Sequence, residues 1–448
     1  MSSGAREAAL RIARTLRGAG HEALLAGGCV RDHLRGVEPE DYDVATAATV
    51  DQVRGLFRRT IPVGEAFGVA VVVEGDHRCE VATFRKDVGV LDGRHPAAVR
   101  AADPRTDARR RDFTINGMFL DPDSGEVLDF VEGREDLRRR AVRCIGDPAR
   151  RFEEDRLRML RAVRFATVLD FTLDPGAAAA ARAAAPGVAG VSAERVREEL
   201  NRILLSGRGG RGLGLLLELG LLPVILPEIA AMVGVDQPPR FHPEGDLFTH
   251  TRLVLDGYRT GGIEVALGAL LHDVGKPTTR TVDERGRTRF PGHSDAGADL
   301  SDEILARLRY PTRTVKRVHD LVARHMDWPN LPRMREAKRR RWLLRDDFDL
   351  HLELHRLDCQ ASHGDLSIHE YARRERRNLD EEPPPVRPLV CGTTLIEMGY
   401  RPGPAFGKIL EAVVDAQLEG GITSEEEARR WVAERFRPPH GEPGGDGA

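Results

Sequence analysis

The signals for β-strands stop near residue 146 of this 448-residue chain, and no other feature constrains its fold as strongly. Before that point, short apolar runs bounded by Gly, Asp and Pro predict strands at 23–26, 69–73, 79–83, 115–120 and 127–130. After it, apolar residues such as Leu157, Leu160 and Val163 recur at helical spacing, and residues 177–185 are almost pure helix former. The pattern therefore predicts an α+β head followed by an all-helical body.

Proline-rich stretches divide the body further. Pro223 and Pro227 precede a loop at 237–243, and a second break follows Glu381. At about 150 residues per domain, a chain of this length is expected to contain two to four domains. We predict four parts, namely a head at 1–146, a helical neck at 147–236, a helical middle domain at 237–380 and a small helical tail at 381–448.

Composition excludes several classes of protein. The 68 basic residues nearly cancel the 71 acidic ones, so the net charge of −3 favours no particular partner. Five cysteines form neither a disulfide framework nor a zinc ribbon, which favours a reducing, cytoplasmic environment. No stretch reaches the roughly 20 apolar residues of a membrane span, so no membrane association is expected. The oligomeric state is left open by the sequence.

A glycine pair followed by two aspartates is the first chemical signal. Gly27 and Gly28 lie between a predicted strand and a predicted helix, where bare backbone can approach phosphate, although a tight turn has the same appearance. Asp43 lies sixteen residues after Gly27, and Asp41 and Asp43 point the same way at the start of a strand. Two such carboxylates can hold Mg²⁺, which activates an attacking hydroxyl and neutralises leaving pyrophosphate. The segment therefore predicts a phosphoryl or nucleotidyl transfer site.

A polar stripe is the second signal. Asp155, Arg158, Arg161 and Arg164 recur every three residues, so on one helix they would share a slowly drifting face. The residues alone leave two interpretations open. The stripe is either a solvated face with local ion pairs or a surface that binds something polar.

Two further segments, at 110–117 and 151–165, complete a set of four ordered motifs, and the set closely resembles the bacterial CCA-adding tRNA nucleotidyltransferase and poly(A) polymerase family. The resemblance implies a polymerase-β-like nucleotidyltransferase head with Mg²⁺ on the catalytic pair Asp41 and Asp43. It implies that the nucleotide is bound by Gly27, Gly28, Arg31, Arg111, Asp155, Arg158, Arg161 and Arg164. Within that set, Asp155 and Arg158 match the residues that read the base edge of the incoming nucleotide.

The resemblance also implies the reaction. We expect template-independent addition of CCA to the 3′ acceptor end of tRNA, from CTP and ATP. Enzymes that add only A to tRNA, or poly(A) to RNA, share every head motif and are the nearest alternatives. The polar stretch at 82–111 resembles the flexible loop that members need for adding the terminal A, and members that add only CC tend to lack it.

Histidines and aspartates form a second constellation in the middle domain. His272 and Asp273 are adjacent, and the other candidates are His250, His293, His325 and Asp358. Imidazoles with carboxylates suit Mn²⁺, Fe²⁺, Ni²⁺ or Mg²⁺ better than a thiolate metal. This pattern resembles the HD phosphohydrolase superfamily, a helical metal-dependent fold. The resemblance implies four core ligands, His250, His272, Asp273 and Asp358, and a second metal on His293 and His325.

Two points about this second site stay open. Asp327 lies closer in sequence to His325 than Asp358 does, and competes with it as a ligand. The resemblance implies phosphatase and 2′,3′-cyclic phosphodiesterase activities, with Mn²⁺, Fe²⁺, Ni²⁺ or Mg²⁺ as the metal. An alternative of another class follows, in which the protein is chiefly a metal-dependent phosphohydrolase and its head has become an RNA-binding module.

Overall fold

The computed structural model describes residues 2–61, 68–90, 96–237, 245–381 and 388–436. The chain forms two compact units. The first comprises Met1–Val235, Leu247–Tyr258 and Glu303–Pro311, and the second comprises Asp236–Asp246, Arg259–Asp302 and Thr312–Ala448. The first break lies beside the predicted end of the neck, and the finer division into four parts stays a prediction.

Most strands belong to the first unit. The strands are β1 Ala23–Ala26, β2 Asp43–Thr46, β3 Thr60–Ile61, β4 Val69–Glu74, β5 His77–Thr83, β6 Arg85–Val90, β7 Pro96–Ala101, β8 Met118–Leu120, β9 Val127–Asp129, β10 Ala141–Val142, β11 Thr172–Leu173, β12 Thr281–Val282 and β13 Thr288–Arg289. Seven of them form one mixed sheet in the order β3-β4-β5-β2-β1-β8-β9. Strands β2 and β5 run parallel, and the other neighbours are antiparallel.

The head core forms where one helix covers this sheet. Helix α1, Ser2–Gly18, buries Ala9, Ile12, Ala13 and Leu16 completely, at the spacing that places side chains on one face of a helix. These residues pack with Val44, Val72 and Val81 of the central strands in one apolar cluster. The rigid layer beneath the sheet fixes the ends of β1 and β2, where the predicted glycines and aspartates lie.

The remaining helices of the first unit follow the predicted order. They are α2 Gly28–Leu34, α3 Val50–Leu56, α4 Pro104–Arg110, α5 Gly133–Arg139, α6 Pro148–Glu154, α7 Leu157–Val168, α8 Pro175–Ala184, α9 Ala193–Leu204, α10 Gly209–Glu218, α11 Leu222–Ile225, α12 Pro227–Ala230 and α13 Leu247–Asp256. Short 3-10 helices occur at Thr114–Asn116 and Ala185–Gly190. The expectation that residues 155–164 form one polar stripe on a single helix is wrong in two respects. Asp155 is an extended linker residue between α6 and α7, with φ −150°, and Arg164 is buried.

The polar stretch predicted as a loop has regular structure. Strands β6 and β7 form an antiparallel hairpin in which Arg85 pairs with Ala101, and α4 follows it. The part of the loop motif at 92–95 lies outside the described residues. The prediction failed because β6 begins with three charged residues and contains Gly89, and β7 begins with Pro96, which are residues typical of loops in sequence.

The second unit is helical. Its helices are α14 Gly262–Leu271, α15 Lys276–Thr279, α16 His293–Arg307, which lies partly in each unit, α17 Thr312–Arg324, α18 Glu336–Leu343, α19 Phe348–Ala361, α20 Ser367–Glu381, α21 Gly392–Glu397, α22 Pro404–Leu418 and α23 Glu425–Arg435, with a 3-10 helix at Trp328–Arg333. Helix α14 is the packing centre, since Gly268 lies close enough to α17 and α19 for an added Cβ to meet Leu321 and Leu354 at 3.4 Å.

The predicted α+β class, with a helical body, is confirmed. Within the described ranges no helix is long and apolar enough to cross a membrane.

Candidate active site

The turn after strand β1 brings predicted residues together. Gly27 has a φ of +75°, a left-handed conformation that favours glycine. A Cβ atom added to Gly27 would lie 3.3 Å from Nη1 of Arg111 and 3.9 Å from Oδ2 of Asp43. A Cβ added to Gly28 would lie 3.6 Å from Nη2 of Arg31. Bare backbone therefore lies beside two guanidinium groups and a carboxylate, which is the composition of a site for a metal-bound phosphate.

Asp43 lies among other charged groups. As the first residue of β2 it pairs with Ala26 of β1 on one side and with Glu80 of β5 on the other. Burial raises the pKa of Asp43 to about 6, the negative charges of Glu80 and Asp41 add to the rise, and Arg111 opposes it. A divalent cation would relieve this repulsion, and carboxylate oxygens are the ligands that Mg²⁺ prefers, so the residues present fit such an ion.

Glu80 is a site residue that sequence reasoning missed. Its neighbours in β5 alternate between buried and exposed, so Glu80 has the pattern of an ordinary solvated strand residue. The parallel pairing of β2 with β5 brings it beside Asp43, and that long-range pairing leaves no local signal. The one indication in the sequence is that Glu80 lies in β5, which together with β4 forms the first long strand pair after Asp41 and Asp43.

Replacing Asp43 by Asn is expected to stabilise the metal-free protein at pH 8. The folded state raises the pKa of Asp43 from 3.8 to about 6, so between these values the folded chain binds more protons than the unfolded chain. Stability contributed by Asp43 is therefore lost as the pH rises from about 4 to about 6, by up to roughly 3 kcal/mol. In thermal unfolding with EDTA, the melting temperature of Asp43→Asn should be higher than that of the parent at pH 8 and equal to it near pH 4. A gain that is equal at both pH values, or is matched by Asp51→Asn on the exposed surface of α3, would contradict this account.

The two arginines of the head are held by other polar groups. Arg31 Nη1 donates to Oδ1 of Asn116 at 2.8 Å. Arg111 donates from Nε and Nη2 to Oδ2 of Asp107 at 3.1 and 3.0 Å, and Asp107 is almost completely buried. Asp107 also accepts from the main-chain N–H of Arg85 at 3.2 Å. Both guanidinium groups are therefore held in one orientation by the protein itself.

The two residues that match the base-reading pair are also held by partners. Asp155 accepts from Nη2 and Nη1 of Arg195 at 2.8 and 3.2 Å. Arg158 donates from Nη1 to the carboxylate of Glu154 at 2.8 Å and to the carbonyl of Arg151 at 3.1 Å. Each therefore keeps one fixed orientation at the junction of α6 and α7.

The next two arginines of the neck face carboxylates. Arg161 donates from Nε to Asp112 at 2.8 Å. Burial opposes ionisation of Asp112, but Arg161 outweighs it and lowers the pKa of Asp112 to about 2. Arg164 lies against Glu199, with 2.6 Å between Nε and Oε2, and 4.0 Å from the ring centre of Phe165. Burial lowers the pKa of Arg164 to about 10, although Glu199 opposes that shift. Nucleotide binding by these two arginines stays a prediction.

Three histidines of the second unit share one orientation. His272, His293 and His325 each place Nδ1 against a main-chain carbonyl oxygen, which can only accept, so Nδ1 carries the proton. The carbonyls belong to Ala269, Phe290 and Val322, at 3.1, 2.9 and 2.6 Å. In the neutral imidazole of this tautomer Nε2 is the nitrogen that can bind a metal, which is the arrangement that metal-binding histidines adopt. Burial also lowers the pKa of His293 to about 4.

Asp273 lies at the centre of this cluster. Its Oδ2 is 3.3 Å from Nε2 of His272, and its Oδ1 is 3.5 and 3.7 Å from Nε2 of His293 and His325. Asp358 Oδ1 is 3.9 Å from Nε2 of His272. The Nε2 atoms of His293 and His325 are 3.2 Å apart, which is close enough for one divalent cation to contact both. The donor set fits a divalent metal.

The other candidates for this site have different surroundings. His250 is completely buried on α13, which belongs to the first unit, and its place among the ligands stays a prediction. Asp327, the sequence rival of Asp358, lies 3.7 Å from Nη1 of Arg324.

A further carboxylate–histidine group, not identified from sequence, comprises Asp320, Asp347 and His351. Arg324 lies 2.7 Å from Asp320, and Arg345 contacts both carboxylates. These two guanidinium groups neutralise the two carboxylates, and a single imidazole accompanies them, so the group is an ion-pair network.

Three family models match the chain. A poly A polymerase head domain matches residues 23–143, a probable RNA and SrmB-binding site of polymerase A matches 170–233, and an HD domain matches 248–358. The CC-adding tRNA nucleotidyltransferase of Thermus thermophilus is 36% identical over 424 residues, which cover 92% of this chain and 93% of that protein. The chain belongs to the tRNA nucleotidyltransferase family. The resemblance found in its motifs is thereby confirmed.

Two other proteins define the relationship. The A-adding tRNA nucleotidyltransferase of Deinococcus radiodurans is 34% identical to this tRNA nucleotidyltransferase over 433 residues, 92% of this chain and 94% of that one. A crystal structure of the Bacillus stearothermophilus CCA-adding enzyme in complex with CTP superposes with a TM-score of 0.74 at 28% identity, covering 96% of this chain and 97% of that one. The first unit therefore contains a nucleotidyltransferase head, and the HD match accounts for the histidines of the helical body.

Proposed function

We propose that the protein adds C, C and A to the 3′ end of tRNA, without a nucleic-acid template, from CTP and ATP. The convergence of Gly27, Asp43 and Arg111 at the end of β1 carries this proposal, because it combines open backbone, a carboxylate and a fixed guanidinium group. Membership of the tRNA nucleotidyltransferase family and the likeness to a CCA-adding enzyme that binds CTP support the choice of substrates.

The residues of the head have different roles in phosphoryl transfer. Asp41 and Asp43 would hold Mg²⁺, and the bound ion would favour ionisation of the attacking 3′ hydroxyl and neutralise the leaving pyrophosphate. Arg31 and Arg111 donate hydrogen bonds to the triphosphate, and their fixed partners Asn116 and Asp107 keep them aimed without a nucleotide. The open backbone at Gly27 allows the phosphates to approach closely.

Asp155 and Arg158 select the base. Cytosine and adenine both present an exocyclic amino donor beside a ring-nitrogen acceptor, whereas uracil and guanine present a carbonyl acceptor beside a ring N–H donor. A carboxylate only accepts and a guanidinium only donates, so this pair complements C and A and opposes U and G. One pair of side chains can therefore accept both required nucleotides.

Enzymes with narrower products are the alternatives, since the two full-length relatives described above are a CC-adding and an A-adding enzyme. A poly(A) polymerase would share the same head. We expect tRNA transcripts that end before CCA, after C and after CC to be completed from CTP and ATP in the presence of Mg²⁺. Sequencing gels with CTP alone, ATP alone and both decide the outcome. CC without A, A only on the transcript ending in CC, or long A tracts on any RNA would each contradict CCA addition and identify the alternative.

A second candidate function belongs to the HD-type site. The convergence of three histidine Nε2 atoms on Asp273 favours a bound divalent metal, Mn²⁺, Fe²⁺, Ni²⁺ or Mg²⁺, ligated by His272, His293, His325 and Asp273. Such a site would remove 2′,3′-cyclic or terminal phosphates from RNA ends. It would prepare ends for the nucleotidyl transfer proposed above.

Asp273→Asn is expected to remove this metal. The substitution replaces the one charged ligand that faces all three imidazoles, so the bound metal measured after dialysis against Mn²⁺ should fall at least about tenfold. Hydrolysis of 2′,3′-cyclic phosphates should fall with it, while nucleotide addition should stay at the parent level. His293→Gln, which keeps the Lys276 contact with Asp273 intact, serves as a gentler second variant, and exposed Asp349→Asn serves as the control. Unchanged metal content in both site variants would contradict the assignment.

A further inference from the structure

Asp155 has few free acceptor positions. A carboxylate offers about four lone-pair sites. Two of them, on Oδ1, accept from Nη1 of Arg195 at 3.2 Å and from the main-chain N–H of Leu157 at 3.0 Å. A third, on Oδ2, accepts from Nη2 of Arg195 at 2.8 Å. One position on Oδ2 is left for a base.

We infer that Arg195 is a specificity-determining residue that positions Asp155 so that it accepts one hydrogen bond, from the amino group of cytosine or adenine. The inference rests on the proposed role of Asp155 as a base-reading residue. The two parallel hydrogen bonds from Arg195 fix the plane of the carboxylate, whereas a single donor would leave it free to rotate.

The packing of α9 makes Arg195 a rigid support. Val196, Leu200 and Ile203 are buried against the rest of the first unit, so the helix backbone cannot follow a displaced side chain. One turn later, Glu199 contacts Arg164 of α7. The side chains of Arg195 and Asp155 are 22% and 20% exposed, so water does not replace the pair freely. Such partly buried, bidentate pairs hold their geometry better than surface ion pairs.

The test compares CTP with UTP on a tRNA transcript that ends before CCA. Arg195→Met removes the charge and both hydrogen bonds but keeps the length of the side chain. We expect the ratio of kcat/KM for UTP to kcat/KM for CTP to rise at least about tenfold, since Asp155 no longer presents a fixed acceptor. Arg195→Lys keeps the positive charge but cannot donate two parallel hydrogen bonds, so its UTP:CTP ratio should lie between the ratios of the parent and of Arg195→Met. Arg202→Met, at an exposed position of α9, is the matched control and should leave the ratio unchanged.

A double-substitution cycle separates positioning from a general structural effect. In an Asp155→Ala background, Arg195→Met should leave the UTP:CTP ratio unchanged, because the group that Arg195 positions is absent. A structural role alone would lower both kcat/KM values together in every background and leave their ratio constant, which would overturn the inference. Failure of the proposed function has a different signature, namely a parent protein that adds neither C nor A to any of the transcripts.

Discussion

Asp41→Asn and Asp43→Asn are each expected to lower the rate of nucleotide addition at least about a thousandfold. Asparagine has nearly the shape of aspartate but offers a neutral amide, so it cannot supply the charge that holds Mg²⁺ beside the triphosphate. A thousandfold loss corresponds to about 4 kcal/mol of transition-state stabilisation, which is within the range for removal of one essential charged ligand. Single-turnover incorporation of labelled CTP at saturating Mg²⁺ measures the effect.

The control for this experiment is an aspartate of the same domain. Asp51 is exposed in the first turn of α3, and Asp51→Asn should incorporate CTP at the parent rate. Glu80→Gln should give an intermediate loss, because Glu80 lies beside Asp43 and adds to the negative field at the site. Residual activity within about tenfold of the parent in both Asp41→Asn and Asp43→Asn would mean that the head does not use these carboxylates for transfer.

Glu199→Ala is expected to destabilise the first unit by about 3–5 kcal/mol. The change removes the carboxylate that lies 2.6 Å from Arg164 and leaves a guanidinium group buried without its counter-charge. Arg164 is only 8% exposed, so water cannot take over the role of Glu199. Urea unfolding followed by circular dichroism should show a transition shifted to lower urea concentration.

A paired substitution identifies the cause of that loss. Arg164→Met combined with Glu199→Leu removes both charges and keeps apolar volume, so it should cost less than Glu199→Ala alone. Exposed Glu198→Ala, one residue earlier on α9, should change the transition little. A double variant as unstable as the sum of its single substitutions would show that the volume of the side chains, and not the uncompensated charge, determines the effect.

The sequence predicted the parts of the site that depend on local order. The interval from Gly27 to Asp43 contains a turn and a helix and ends where a second strand begins, and the adjacent pair of His272 and Asp273 needs no long-range information. Both predictions follow from residue types and their spacing alone. The polarity of Arg161 and its neighbours in the neck was equally plain from sequence, but their ion-pair partners were not.

Contacts between distant segments could not be predicted. Glu80 reaches Asp43 through parallel strand pairing, and Arg195 reaches Asp155 from a helix that begins 38 residues later, at Ala193. Neither contact has a periodic signature. The break between α6 and α7 was missed because Asp155 lies in register with the arginines that follow, and the sequence pattern does not distinguish a helix from two helices joined by one extended residue.

The buried carboxylate of Asp107 has a consequence for exchanging parts between enzymes of this family. It accepts hydrogen bonds from the first residue of the β6–β7 hairpin, Arg85, and from Arg111 at the proposed phosphate site. A chimaera whose junction falls between the hairpin and α4 would separate the hairpin from the residue that anchors it. A graft with boundaries before Arg85 and after Arg111 transfers the hairpin, Asp107 and Arg111 together. Any change in the nucleotide that the chimaera adds can then be attributed to this segment.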